Sequence, residues 1–392
     1  MPDRYDIVVI GGGIHGVGVA QAAAAQGYSV LLVEKKELAS GTSSRSSKLI
    51  HGGLRYLETG QFSLVRECLR ERAILLRIAS DLVQLRDFFV PIYQNTRRRP
   101  WQLRIGLTLY ASLSGFAKTA RFGTVRRADW DGFDGLTTKH LQTVFQYRDA
   151  QTDDARLTQA VMRSATHLGA ECAIPAKFVA GSLKDDGCEI VIDTNGSTRR
   201  IWTTVLVNAS GPWANQVLEC IRPRVATCQF ELVQGAHIIV PVHANRGIYY
   251  LEAPQDQRGV FVMPWHEQTM VGTTETPFYD DPDHTHPREA EVRYLLEVFG
   301  YYFPQFADLT PDDVCSAFAG LRVLPSGSGR AFNRSRETIL HVDRPQRPRI
   351  LSIYGGKLTA YRATAEKVIH QLAPMLPPRR AIADTRQLRL AA

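Results

Sequence analysis

Tyr5-Asp6-Ile7-Val8-Val9-Ile10-Gly11-Gly12-Gly13-Ile14-His15-Gly16, followed by Ser29-Val30-Leu31-Leu32-Val33-Glu34, decides the fold. The β-branched run ending at Ile10 reads as a strand buried on both faces. Gly18 to Gln26 is alanine-rich and helical, with Gly27 as a C-cap. Ser29 to Glu34 is a second strand. Such a β–α–β opening predicts a parallel sheet covered by helices, hence an α/β fold with a Rossmann-like domain. In Gly11-x-Gly13-x-x-Gly16, the first glycine permits a tight turn, the second lets a pyrophosphate approach the backbone, and the third packs helix on strand. The helix N-terminus adds free N–H groups and positive potential. Glu34 lies 18 residues beyond Gly16, near the ~20 expected of an acid that binds ribose hydroxyls. It would repel a 2′-phosphate, which disfavours NADP. The small hydroxyl residues of Ser40-Gly41-Thr42-Ser43-Ser44 suit a longer ligand along the sheet and tilt the expectation from NAD towards FAD.

A chain of 392 residues predicts two or three domains. Its 44% hydrophobic and 22% charged residues exclude a mainly disordered protein. Lys and Arg exceed Asp and Glu by 47 to 39, and that +8 favours phosphorylated metabolites, acidic lipids or nucleic acid without choosing among them. The six cysteines are irregularly spaced with no CxxC pair, as expected of scattered thiols in a reducing compartment. No secretory leader is expected at the N-terminus. The longest uncharged apolar stretch, Ile105 to Ala117, is too short to span a bilayer. A cytoplasmic protein is expected, with any membrane contact peripheral.

Further along, residues 62–83 carry apolar side chains at helical spacing. Residues 97–122 mix Arg97, Arg98, Arg99, Arg104, Lys118 and Arg121 with Trp101, Tyr110, Phe116 and Phe122. That mixture suits a membrane interface or a solvated helix edge with its aromatics in the core. Residues 187–207 read as two strands about an Asn195-Gly196 turn. Residues 228–275 read as an antiparallel sheet, and Pro282 to Pro287 as a loop.

Thr42-Ser43-Ser44-Arg45-Ser46-Ser47-Lys48-Leu49-Ile50-His51-Gly52-Gly53-Leu54-Arg55-Tyr56-Leu57-Glu58 resembles the signature of the respiratory, FAD-dependent glycerol-3-phosphate dehydrogenases. Asp153 to Leu157, Val207 to Trp213, Gly272-Thr273-Thr274-Glu275, Gly320-Leu321-Arg322 and Gly355 to Thr359 match in the same order. The resemblance implies a fold like that of glutathione reductase and D-amino-acid oxidase. In it a discontinuous FAD-binding domain (1–90, 149–226, 318–392) is joined to a substrate domain on a mixed or antiparallel sheet (91–148, 227–317). It also implies that the helical C-terminal domain of longer members is absent. The implied reaction oxidises sn-glycerol 3-phosphate to dihydroxyacetone phosphate, with hydride passing to flavin N5 and electrons to a quinone. Implied partners are a small phosphorylated substrate, a membrane quinone and an anionic membrane surface on the inner face of the cell membrane. A homodimer is compatible, and nucleic acid is not expected.

The matching motifs assign substrate contacts to Arg55, Tyr56, Arg322, Arg336 and Lys357, and catalysis to Arg322, His237, His51 and Lys357. Cofactor contacts fall on Gly11, Gly13, Ile14, His15, Gly16, Glu34, Lys35, Thr42, Ser43, Ser47, Lys48, Leu49, His51, Gly53, Phe178, Val179, Ala209, Gly211, Trp213, Gly356, Lys357, Leu358 and Thr359. No metal site is expected. Oxidising a secondary alcohol removes a hydride and a proton, so the site needs a phosphate clamp and a base. Arginine supplies a bidentate fork that stays charged. His237 and His51 are both candidate proton acceptors, and Lys357 would stabilise negative charge near flavin N1. Trp213 reads as core and Cys315 as a buried thiol. Gln234, Val323 and Thr338 depart from the family pattern, where Lys, Pro and Tyr or His are usual, and Arg334 competes with Arg336 for alignment. The same flavin site could instead serve another hydroxy acid, an amine or an amino acid.

Overall fold

A computed structural model describes residues 4–325 and 338–391. Strand Arg4–Ile10 pairs in parallel with Val30–Val33 on one side and Ser197–Asn208 on the other. Ile350–Tyr354 and Glu171–Ala173 extend this parallel core in opposite directions. Every residue of Val30–Val33 and Ile350–Tyr354 is buried, as the apolar runs require. The glycine-led helix begins at Ile14, ahead of its alanine run, and ends at Ala25. It lies between helices Asp154–His167 and Tyr361–Leu372. Being enclosed, it is apolar all round rather than on one stripe. Gly27 takes φ +83° just after it. The predicted turn is present, with Asn195 at φ +53° and Gly196 at +85° joining Gly187–Thr194 to Ser197–Asn208.

A second sheet of ten strands is mixed. Ile248–Glu252 runs parallel to Val83–Tyr93, while the other pairings are antiparallel. Its organising strand is Phe230–Val240. One edge pairs with Ser316–Pro325 from Phe230 to Ile239. The other edge is shared: Gln268–Gly272 takes His237 to Val240, and Thr276–Phe278 takes Leu232 to Gln234. The short crossing Thr273–Glu275 spans the gap. Helix Glu289–Tyr302 covers this sheet through Leu295, Val298 and Phe299.

Three expectations change. The helix over 62–83 stops at Ile78, and Val83 opens a strand against Thr152, because ladder pairing outweighs a position that also fits the helical repeat. Residues 83–90, 149–152 and 318–325, assigned from sequence to the dinucleotide-binding segments, belong to strands of the second sheet. Cys315 is exposed rather than buried. Within 97–122, helix Pro100–Leu113 buries Leu103, Leu107 and Tyr110. Trp101, Ile105 and Phe116 are 63%, 59% and 68% exposed, so of the aromatics Trp101 and Phe116 are not core while Tyr110 is. No helix among the described residues is long and apolar enough to cross a membrane.

Helix and strand meet most closely at Gly16, where a Cβ would collide with the Gly11 carbonyl oxygen. Gly16→Ala is therefore expected to destabilise the fold by about 1–3 kcal/mol. An unchanged urea midpoint would contradict this packing.

Candidate active site

A cavity of about 550 Å³ starts at the glycine turn and ends on the second sheet. At its start, Gly11 takes φ +108°, and a Cβ there would come 2.7 Å from the Ala209 carbonyl oxygen. The Ile14 N–H donates to Ser43 Oγ at 2.8 Å, so the Thr42–Ser44 loop closes on the helix N-terminus. Glu34 Oε2 accepts from the Gly12 N–H at 2.6 Å and Oε1 from the Lys36 N–H at 2.8 Å. These bonds hold its carboxylate at the cavity wall. Lys35 Nζ sits 4.3 Å from the Trp213 ring centroid and 3.0 Å from Asp283, which belongs to the loop after Thr276–Phe278. Trp213 thus lines the cavity instead of filling the core.

At the far end the floor is a face of the second sheet. His237 opposes Phe318, Gly235 opposes Gly320, and Val233 opposes Arg322. Alternation along both strands puts all six on one face. The paired glycines leave the floor low. A Cβ on Gly235 would lie 3.0 Å from an Arg322 nitrogen, and one on Gly320 would lie 2.7 Å from the Arg45 carbonyl oxygen. Arg322 donates to Glu275 Oε1 at 3.0 Å and Thr273 Oγ1 at 3.3 Å while lining the cavity.

His237 is buried, stacked 4.9 Å from Phe318 and 2.9 Å from Ser47 Oγ through Nε2. Its Nδ1 has no hydrogen-bond partner among the described residues. Burial, then the positive charges of Arg322 and Lys48, push its pKa down to about 3. Opposite the floor, Lys357 Nζ lies 3.4 Å from the Tyr56 ring centroid and 3.8 Å from Cys68 Sγ. The His51 N–H donates to Thr359 Oγ1 at 3.1 Å. Gly52 N–H donates to Tyr110 Oη at 2.8 Å, and Tyr110 donates in turn to Asp149, which also pairs with Arg72. His15 is half-buried against Gly356, and desolvation lowers its pKa to about 4.

Gly11, Gly13, Ile14, His15, Glu34, Lys35, Thr42, Ser43, Ser47, Leu49, His51, Tyr56, Phe178, Ala209, Gly211, Trp213, His237, Arg322, Gly356, Lys357, Leu358 and Thr359 all line this cavity. Other assigned residues stand apart from that lining or serve it indirectly. Val179 is 42% exposed and outside the lining, because it is the extra residue where the ladder skips from Phe178 opposite Ile192 to Ala180 opposite Val191. Lys48 is buried in an ion pair with Asp154 at 2.6 Å and so braces the loop. Gly53 and Gly16 act by leaving room: a Cβ at Gly53 would strike the Tyr56 ring. Arg55 stands outside the cavity lining, 5.6 Å from the Tyr56 ring centroid. Arg336 and Arg334 lie outside the described residues. Gln234 bonds Glu291 at 2.6 Å and does not line the cavity, whereas Val323 does. Sequence reading missed Arg45, Gly235, Asp283 and Glu275; the last lay within a matching motif that carried no assigned role.

Residues 6–362 match the family described as FAD dependent oxidoreductase. The chain belongs to that family. It is 36% identical over 381 residues to the aerobic glycerol-3-phosphate dehydrogenase of Escherichia coli (strain K12), covering 95% of this chain and 74% of that one. It is 35% identical over 382 residues to the D-erythritol 1-phosphate dehydrogenase of Brucella abortus (strain 2308), covering 96% and 75%. Its fold superimposes on the glycerol-3-phosphate dehydrogenase from Bacillus halodurans complexed with FAD. There the TM-score is 0.78 and identity 28%, over 99% of this chain and 68% of that one. The cavity fits the family's cofactor: the glycine turn leaves space where a Cβ would clash, Glu34 waits at the wall, and the volume falls in the ~300–1,000 Å³ range of ligand sites.

Both His15 and His237 stay neutral in the folded protein near neutral pH but take up protons near 6.5 once unfolded. Below that pH the unfolded state binds more protons, so stability is whole above it. Stability then falls as pH drops, by about 1.4 kcal/mol per pH unit per histidine. His237→Gln should remove one such increment from the slope of unfolding free energy between pH 6 and pH 4. A slope equal to that of the parent would contradict the buried, neutral ring.

Proposed function

We propose that this protein oxidises sn-glycerol 3-phosphate to dihydroxyacetone phosphate and passes the electrons to a membrane quinone. The observation that carries the reading is that Arg322 and Lys357 line the same cavity as the dinucleotide turn. Bound FAD supplies a hydride acceptor at flavin N5, which no side chain can replace. Ile14 and its helix N-terminus would hold the pyrophosphate, Glu34 a ribose, and His51, Lys357 and Thr359 the flavin ring. Arg322 presents a planar fork to the substrate phosphate, a better match than a point charge. Tyr56 holds Lys357 against its ring face, fixing where that charge sits. The matching motifs also assign Arg55 and Arg336 to that phosphate. His237 is neutral in the folded protein and bonded to Ser47, but the burial and the Arg322 and Lys48 charges that keep it neutral also oppose its protonation, which makes it the weaker proton acceptor of the two histidines. His51 is the alternative acceptor, and substituting the two separately distinguishes them.

The family likeness to a D-erythritol 1-phosphate dehydrogenase supports a polyol monophosphate as substrate class. For a quinone reaction the chain must meet a bilayer. We place that contact at helix Pro100–Leu113 and the residues after it, where outward Trp101, Ile105 and Phe116 lie beside Arg104, Lys118 and Arg121.

Anaerobic mixing of the FAD-loaded protein with glycerol 3-phosphate should bleach the flavin, whereas glycerol and lactate should leave it oxidised at equal concentration. Bleaching by lactate alone would point to a hydroxy-acid oxidase instead. Lys357→Met should slow flavin reduction by about 10²–10³-fold, the usual cost of losing a positioned charge; a parental rate would remove that role. Trp101→Ala with Ile105→Ala should release the protein from anionic vesicles in a sedimentation assay, and equal pelleting by both proteins would refute the bilayer face.

A further inference from the structure

Gly272-Thr273-Thr274-Glu275 has no part in the reaction as described, yet its last residue touches the residue assigned to the phosphate. The Glu275 side chain is 5% exposed and lies behind Arg322, which is 24% exposed towards the cavity. The carboxylate accepts from one terminal guanidinium nitrogen at 3.0 Å, and Thr273 Oγ1 lies 3.3 Å from the other. Beneath them Gly235 offers no side chain, and Thr273 Oγ1 would stand 2.6 Å from a Cβ there. The guanidinium therefore has a seat: a carboxylate, a hydroxyl and a bare stretch of strand.

That seat is itself braced. Thr274 Oγ1 accepts from the Ala236 N–H at 2.8 Å, and the Thr274 N–H donates to the Ala236 carbonyl at 3.2 Å. Thr274 Oγ1 also donates to buried Glu291 at 2.7 Å, as Thr276 Oγ1 does at 2.8 Å. The crossing Thr273–Glu275 is thus pinned to Phe230–Val240 and to helix Glu289–Tyr302. A long arginine side chain carries roughly 2 kcal/mol of rotamer entropy, and a fork recognises phosphate only in one orientation. Fixing that orientation before the substrate arrives lowers the ordering cost of binding.

We propose that Glu275 is a positioning residue that aims the Arg322 fork at the phosphate of a polyol monophosphate. The role rests on the phosphate-reading function proposed above.

The test is steady-state kinetics of FAD-loaded Glu275→Gln and Glu275→Asp against the parent, with glycerol 3-phosphate and with unphosphorylated glycerol. For Glu275→Gln, KM for glycerol 3-phosphate should rise about 10- to 100-fold, the size of effect that misplacing a binding group produces, with kcat within a few-fold. Glu275→Asp should recover part of that loss, and any slow turnover of glycerol should match the parent in both variants. A parental KM in Glu275→Gln overturns the positioning role while leaving the phosphate reading intact. A parent that glycerol 3-phosphate neither saturates nor reduces overturns the reading and this role with it. If both variants lose FAD or unfold, Glu275 is a structural brace and the proposal fails.

Discussion

Where Phe230–Val240 pairs with Ser316–Pro325, Gly235 faces Gly320 with no Cβ on either side, and the cavity depends on that bare patch. From one direction it receives the Arg322 guanidinium; from the other, the backbone of Arg45. A side chain at Gly235 would displace the Arg322 guanidinium, and one at Gly320 would lift the Arg45 segment off the sheet. The constraint is steric, so it holds whatever the solvent or salt. Electrostatics then acts on a geometry that is already fixed.

The loop that runs from the glycine turn to this floor is long, polar and half-buried, and its order comes from buried polar groups on other segments. Asp154 accepts from the Ser46 N–H at 3.0 Å, from Ser46 Oγ at 2.6 Å and from Lys48 Nζ at 2.6 Å. Tyr110 and Asp149 hold Gly52 from the opposite side. Burial pushes the Asp154 carboxyl pKa upward, and Lys48 works against that shift. Removing Lys48 alone would leave an uncompensated buried carboxylate, an outcome far costlier than losing a surface pair. The motif residues Asp154 and Lys48 therefore serve the site through architecture.

The sequence carried the first half of the site well because its signals are local. A β-branched run, a glycine turn, an alanine helix and an acid at the right distance each have a meaning within a few residues, and Glu34 and Ser43 stand where that meaning puts them. The second half depends on segments far apart in the chain. Lys48 and Asp154 are separated by 106 positions, and no local pattern says that a motif lysine will be spent on an aspartate. Val179 and Phe178 were indistinguishable until the register shift between Phe178 and Ala180 was known. Gly235 and Gly320 look like ordinary strand glycines until the register sets them face to face. Arg55 shows the limit of motif matching, since adjacent residues of one short helix point to different places.

The central claim is that a phosphate group, more than the rest of the guest, is what this cavity recognises. The most direct check is an equilibrium titration of the oxidised, FAD-loaded protein with dihydroxyacetone phosphate and with dihydroxyacetone, read from the flavin difference spectrum. The account predicts saturable binding of the phosphorylated ketone at least about 100-fold tighter, as a seated bidentate contact would provide. Equal affinity for the two ketones would contradict it.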